Sequence, residues 1–292
     1  MPKVSLSPFR YPGAKSRMMK LIVDRIASVM SKGSATYVEP FVGGGSVLLG
    51  VANAFPDLDL VVNDDDGSVS SFWKCIVDDN ICDELVDKIK KTIPTVEEHS
   101  RQRELVGSSD ILEAGYAALF LNRTSFSGIL TAGPIGGKGQ TSKYSVGCRY
   151  NSERLSNQIN VIREELRGRL KVCNIDFGDF LLDRDDGSIV YCDPPYYVKG
   201  GILYPKKMSH NDHVRLQVIL RSLKKSKFVL SYDDVKEVTK LYEWANVDLV
   251  PVRYSIKGLN RESWNSKFEL LIDNGKIDSD EKRAEIELDG VV

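Results

Sequence analysis

Seven short runs rich in β-branched and aromatic residues recur along the 292-residue chain, separated by stretches of helical periodicity. They are ATYVEPF, LDLVVND, LKVCNID, SIVYCD, KFVLSYD, VDLVPVRYSI and FELLIDN. Parallel strands need a crossover, normally a helix, so this alternation specifies an α/β fold with a mostly parallel, Rossmann-like sheet. Helical patterns fall at Lys15–Met30, Ser46–Ala54, Ser68–Val77, His210–Lys224 and Val235–Trp244. Four runs end in an acid: Asp64, Asp176, Asp193 and Asp233. Ligands of open α/β sheets sit outside the carboxyl ends of the strands, which makes these acids candidate site residues.

The alternation breaks between Val77 and Leu170. Three helical patterns there surround a glycine-rich stretch, SGILTAGPIGGKGQTSKYSVGCRYN. So much glycine and polar residue predicts a β-hairpin or mobile loop rather than a packed core. The expected organisation is a sheet domain from residues 1–76 and 171–274, a mostly helical insertion over 77–170 carrying the hairpin, and an acidic, disordered tail over 275–292. The net charge of −1 hides a polarity. From Asp278 onward six acids outnumber two bases, which leaves the rest of the chain at +3. Between Gly115 and Leu155 five bases (Arg123, Lys138, Lys143, Arg149, Arg154) face a single acid, Glu153. A local basic patch of this kind favours a polyanion despite the neutral total. Five scattered cysteines without a CxxC pair, and three histidines, argue against a zinc site, any other metal centre or a disulfide framework, and for a reducing cytoplasmic setting. No apolar run reaches the length of a membrane span, and the N-terminus lacks a signal core.

Three motifs carry chemistry. YVEPFVGGGSVLLG joins a strand to a helix through Gly43, Gly44 and Gly45, a turn that lets backbone approach a ligand closely. It is neither GxGxxG nor a Walker loop, which disfavours a dinucleotide dehydrogenase. The next run ends in VVNDDDG, and an acid at the end of a second strand is placed to hold ribose hydroxyls; Asp64 fits. In SIVYCDPPYYVKG, Pro194 and Pro195 cannot donate ladder hydrogen bonds, so the strand stops beside Asp193. A stiff elbow results, with Tyr196 and Tyr197 following. Cys192 alternates with Asp193 along the strand and should point away from it, as a buried structural thiol.

In sequence order, RYPGAKSRMMKL, EPFVGGGSVLL, VVNDDDGSVSSFW, LFLNRTSFSGI, YCDPPYY, VLSYDD and ELLIDN resemble the motifs of Dam-type N6-adenine DNA methyltransferases, from about Phe9 to Asn274. The order, cofactor motifs first and DPPY last, is that of the alpha group. The resemblance implies S-adenosylmethionine as cofactor, with S-adenosylhomocysteine as product, held by Tyr11, Lys15, Glu39, Pro40, Phe41, Gly43, Gly45, Asp64, Asp176, Phe177 and Asp193. It implies Asp193, Pro194, Pro195 and Tyr196 as the catalytic tetrad acting on a flipped-out adenine of double-stranded DNA. The insertion is expected to read DNA: Phe126 and Ser127 at a loop tip that in relatives enters beside the target base, Arg123 on a phosphate or holding the loop internally, and Lys138, Lys143 and Arg149 on a hairpin entering a groove, with Arg149 on a base edge or a phosphate. The family's habit is a monomer whose activity needs no cognate restriction nuclease. One departure concerns Thr131, which stands where GATC-reading members carry an arginine and leaves the recognition sequence open. N4-cytosine methyltransferases share such tetrads, and a catalytically silent DNA-binding relative would keep the fold; both remain alternatives at this stage.

Overall fold

The computed structural model describes residues 7–10, 15, 18–182, 184–197, 208–252 and 267–275. All seven expected strands are present: β1 (Thr36–Glu39), β2 (Asp59–Asn63), β3 (Leu170–Cys173), β4 (Ile189–Cys192), β5 (Lys227–Asp233), β6 (Asn246–Val252) and β7 (Lys267–Asp273). They form one sheet in the order β3-β2-β1-β4-β5-β7-β6. The first five in that order run parallel, whereas β7 is antiparallel to both β5 and β6. The expected Rossmann-like α/β class is therefore correct.

Ten helices accompany the strands among the described residues: α1 (Met19–Val29), α2 (Ser46–Ala54), α3 (Gly67–Val77), α4 (Asp79–Lys91), α5 (Val96–Glu104), α6 (Ile111–Thr124), α7 (Ser152–Leu166), α8 (Phe177–Leu181), α9 (His210–Ser222) and α10 (Lys236–Leu241). Seven begin at a residue whose side chain accepts from the first turn: Asp66, Asp78, Thr95, Asp110, Asn151, Asp176 and Ser209. Each such cap contributes on the order of 1 kcal/mol, which explains why the helices start at these polar positions. The expected start of α1 at Lys15 is displaced to Met19, and α8 and short α5 are elements the pattern did not reveal.

Strand alternation divides the core. Tyr37 and Tyr191 point into one apolar cluster with α1–α4, α6 and α7, while Val38, Val190 and Cys192 point into another with α8–α10. Both faces of the sheet are thus covered, which is why β4 is buried at every position. Cys192 is buried on the face opposite Tyr191, as its alternation with Asp193 required. The helices of the 77–170 stretch contribute Cys82, Leu85, Ile89, Phe120, Leu155 and Ile159 to the same cluster as Tyr37, Leu60 and Trp73. No helix is long and apolar enough among the described residues to cross a membrane.

The expected β-hairpin over 138–150 is not there. These residues form successive turns without a ladder, and the nearest pairing is an isolated bridge between Ser125 and Pro134. One side chain replaces the ladder: Gln140 Nε2 donates to the carbonyls of Ile135 (2.9 Å) and Gly137 (2.6 Å), and its Oε1 accepts from Val146 N (2.8 Å). Leu130, Val146 and Tyr150 of the segment are buried, and Leu130 and Tyr150 join the cluster that holds Tyr37 and Trp73. The Tyr150 hydroxyl donates to the Ile89 carbonyl (3.0 Å) and meets Tyr116 Oη at 3.1 Å. Tyr11 and positions 276–292 of the expected tail lie outside the described residues.

Candidate active site

The carboxyl ends of β1, β2, β3 and β4 converge on a cavity of about 450 Å³, a size typical of small-molecule sites. Its walls bring together most of the residues singled out from the sequence: Lys15, Glu39, Phe41, Gly43, Gly45, Asp64, Asp176, Phe177, Asp193 and Pro195. Ser7, Phe9, Leu130, Met208 and Asp212 also line it and had no signal in the sequence.

The glycine turn after β1 is fixed from both sides. Trp73 Nε1 donates to the Gly43 carbonyl (2.9 Å), and Gly43 N donates to Asp64 Oδ2 (2.8 Å). Gly43 (φ 45°) and Gly45 (φ 65°) lie in the left-handed region, and Gly45 is the N-cap of α2. Asp64 Oδ1 accepts from Asp66 N at 2.9 Å. Burial pushes the Asp64 carboxyl up to about 7, against the pull of the Asp66 and Gly43 N–H groups. Glu39 is buried at the end of β1, accepts from the Tyr37 hydroxyl (2.8 Å) and is held well above the ordinary carboxylate range by burial. On the opposite wall Phe41 and Phe177 face each other with ring centroids 5.4 Å apart. Asp176 caps α8, and Arg215 of α9 pairs with it while lying 4.8 Å from the Phe177 ring. That pairing holds the Asp176 carboxyl below its usual range.

Asp193 follows β4 immediately, with Pro194 buried behind it and Pro195 and Tyr196 partly exposed. Its Oδ1 accepts from Lys15 Nζ at 2.9 Å and from Ser231 Oγ at 3.2 Å. Lys15, 4% exposed, also sits 3.3 Å from Glu269 Oε2 of β7 and donates to the Tyr196 hydroxyl. Burial raises the Asp193 carboxyl and the Lys15 ammonium opposes that rise. For Lys15 the two carboxylates outweigh the desolvation that would deprotonate it, so it stays charged. Beyond the tetrad, Tyr197 N donates to Asp233 Oδ1 (3.1 Å), which ties the elbow to the end of β5. Asp233, the fourth edge acid, thus braces the elbow and is absent from the cavity wall.

The expected nucleic-acid residues lie apart from this wall on the 122–154 surface. Phe126 is 68% exposed at the tip after α6, and Ser127 has φ 56°. The tip is anchored by buried Asn122, whose Nδ2 donates to the Gly128 carbonyl (2.8 Å) and whose Oδ1 accepts from Arg10 N (2.6 Å). Gly128 has no room for a side chain, since a Cβ there would lie 2.0 Å from the Arg10 carbonyl oxygen. Arg123, half-buried, is lowered to about 10 by burial and by its neighbours Arg10 and Arg154. Burial and Arg149 likewise lower Arg10. Buried atoms of both, Arg123 Nε and Arg10 Nη1, have no hydrogen-bond partner among the described residues. Lys138, Lys143 and Arg149 are exposed on the turns of the glycine-rich segment. Thr131 presents its carbonyl to Arg103 Nη2 at 2.7 Å. Arg10, Arg215, Ser231 and Glu269 are the site-related residues that sequence reasoning missed, whereas Arg154 was read only as part of the basic patch. For Glu269 a signal existed, an acid set between Phe268 and the apolar triplet Leu270–Ile272 of FELLIDN.

Comparison with known proteins gives the family. Curated relatives include the type II methyltransferase M.MjaIII of Methanocaldococcus jannaschii, 26% identical over 298 residues that cover 93% of this chain and 100% of that protein. A DNA adenine methylase of Haemophilus influenzae is 24% identical over 217 residues, 67% of this chain and 65% of the relative. Among solved structures, an rRNA methyltransferase, aviRa of Streptomyces viridochromogenes, aligns over 90% of this chain and 86% of its own at TM-score 0.34 and 16% identity. A precorrin-6y C5,15-methyltransferase of Geobacter metallireducens aligns over 93% and 96% at TM-score 0.40 and 9% identity, and likenesses this distant carry no functional weight. A family description, D12 class N6 adenine-specific DNA methyltransferase, matches residues 11–256. From the glycine turn through the DPPY elbow to β6, this chain belongs to the D12 class of N6-adenine-specific DNA methyltransferases.

Proposed function

We propose that the cavity holds S-adenosylmethionine and that Asp193, Pro194, Pro195 and Tyr196 present a flipped-out adenine of duplex DNA to it. The observation that carries this reading is that Asp193 lines the same cavity as the glycine turn, Asp64 and Asp176. The residues suit the cofactor. Phe41 and Phe177, packed against each other, form an apolar aromatic wall against which a planar base could lie, with Asp176 beside it. The Asp64 carboxyl still has lone pairs for ribose hydroxyls after accepting two backbone N–H groups. Glu39 and Asp193 put acids where the molecule is cationic. When bound, the cofactor supplies an electrophilic methyl group on a sulfonium.

The chain's own residues act on the nucleophile. The exocyclic amine of adenine is poor because its lone pair is delocalised into the ring. Asp193 accepts one N–H and the Pro194 carbonyl the other, pulling the nitrogen toward tetrahedral geometry and freeing the lone pair. Proline contributes an acceptor and rigidity without a competing donor. Tyr196 provides a face for the extruded base, and such stacking is worth ~1–3 kcal/mol. Transfer would form the N–C bond as the methyl–sulfur bond breaks, leaving a neutral thioether and a cationic N6, and Asp193, raised by burial, is suited to receive the N6 proton before passing it to water. Phe126, exposed on its anchored tip, is the wedge that opens the stack. Arg10, Arg123, Arg149 and Arg154 take the phosphates.

The test incubates the chain with methyl-labelled S-adenosylmethionine and unmethylated genomic DNA, followed by nucleoside analysis and mapping of modified positions. Label in N6-methyladenine is expected, with the map giving the recognition sequence. Label in N4-methylcytosine, or none with cofactor bound, refutes the reading.

A further inference from the structure

The last described strand brings a second buried carboxylate to the reaction centre. Glu269 is 4% exposed and pairs in register with Asp233 of β5. Two acids opposed across neighbouring strands repel each other, so the arrangement needs a cation. Lys15 supplies it, 3.3 Å from Glu269 Oε2 and 2.9 Å from Asp193 Oδ1. Lys15 donates to the Tyr196 hydroxyl and to Asp193, whereas its contact with Glu269 Oε2 is an ion pair without a hydrogen bond. Two carboxylates against one ammonium leave the cluster at −1, whereas a simple Lys15–Asp193 pair would be neutral. The other acids of the wall do not compete for Lys15. Glu39 is engaged by Tyr37, and Asp64 by the Gly43 and Asp66 N–H groups.

The charge balance matters because Asp193 must accept an amine N–H, and a carboxylate already neutralised by a close ammonium is a weaker acceptor. We propose that Glu269 is a positioning residue for methyl transfer: it shares the Lys15 ammonium with Asp193, so that Lys15 stays in place without fully neutralising the Asp193 carboxylate that holds the target amine. This rests on the reading of Asp193 as the acceptor. Glu269 itself touches neither base nor cofactor; it acts through Lys15.

The experiment compares the full chain with Glu269→Gln, Glu269→Asp, Lys15→Met and the double variant Lys15→Met/Glu269→Gln. Wild-type turnover on the same DNA checks the underlying reading separately. Glu269→Gln is expected to lower kcat about tenfold, with KM for DNA little changed. Glu269→Asp should recover part of the loss. A DNA carrying 2-aminopurine at the target position should show weaker capture of the base by Glu269→Gln, a readout independent of turnover. The double variant should be no slower than Lys15→Met, because Glu269 has no role once Lys15 is gone. It also removes both charges together, so it stays informative if the single glutamine variant fails to fold. Wild-type kcat and base capture in Glu269→Gln would overturn the proposal. So would a double variant slower than Lys15→Met by the full factor that separates Glu269→Gln from wild type.

Discussion

Replacing Gly45 with alanine adds one carbon at a place where the fold leaves none free. The new Cβ would lie 2.3 Å from Cζ2 and 2.6 Å from Cη2 of Trp73. The indole cannot retreat, because it is fully buried, packed edge-on against Phe72 at 5.2 Å, and donates to the Gly43 carbonyl. Three effects add. Alanine at φ 65° costs ~1 kcal/mol. Overpacking the indole costs about 1–3 kcal/mol. Weakening the Trp73–Gly43 hydrogen bond adds on the order of 1 kcal/mol. A loss of about 3–5 kcal/mol corresponds to a Tm lower by roughly 10 °C in a chain of this size. Gly33→Ala is the control: φ is +90° there too, but no heavy atom lies within 4 Å of the added Cβ. It should cost only the backbone strain, roughly 3 °C. Thermal melts followed by circular dichroism read both, and calorimetry should show weaker S-adenosylmethionine binding in Gly45→Ala alone. Equal Tm shifts in the two variants would refute the reasoning that Trp73 sets the shape of the glycine turn.

Asp193→Asn should abolish methyl transfer while leaving Tm within a few degrees; residual turnover near wild type would remove Asp193 from the mechanism. Asp64 is raised to about 7 in the folded chain by burial, so its unfolded form ionises first and folding loses stability as pH rises from about 4 to 7. Asp64→Asn should flatten that part of the Tm-versus-pH curve, and an unchanged slope would assign the titration elsewhere. Arg123→Met should raise Tm of the free protein, since a half-buried cation beside Arg10 and Arg154 is removed, and should flatten the salt dependence of DNA binding by about one phosphate contact. A lower Tm with an unchanged salt slope would make Arg123 an internal strut. Arg215→Met should weaken S-adenosylmethionine binding with little effect on Tm, because the Arg215–Asp176 pair is largely exposed and contributes little to stability; unaltered affinity would detach Asp176 from the cofactor.

The strands and their edge acids were legible because burial on both sheet faces demands continuous apolar runs, and each run ends where a polar residue can meet a ligand. LKVCNID and SIVYCD announce both strand and site in a few letters. The turns over 138–150 were not legible. Their order comes from Gln140, one amide bonding three backbone groups with the residue itself at φ 49°, a tertiary solution that propensity does not encode. The arginine cluster was half legible. Arg123 and Arg149 stood in a basic stretch, whereas Arg10 lies over a hundred positions away and is brought in by the Asn122 bridge. Glu269 and Ser231 likewise enter the site only through strand register.

β7 follows all six other strands in the chain yet inserts between β5 and β6, so the sheet cannot close before it is made. A nascent chain that has emerged as far as β6 would display the β5 edge as an open template, without the Glu269 that neighbours Lys15. β7 completes the sheet and brings Glu269 beside Lys15, and Arg25 of α1 pairs with Asp273 at its end at 2.5 Å. A chain ending before β7 would leave the β5 edge unpaired, the kind of open edge that invites mispairing and aggregation.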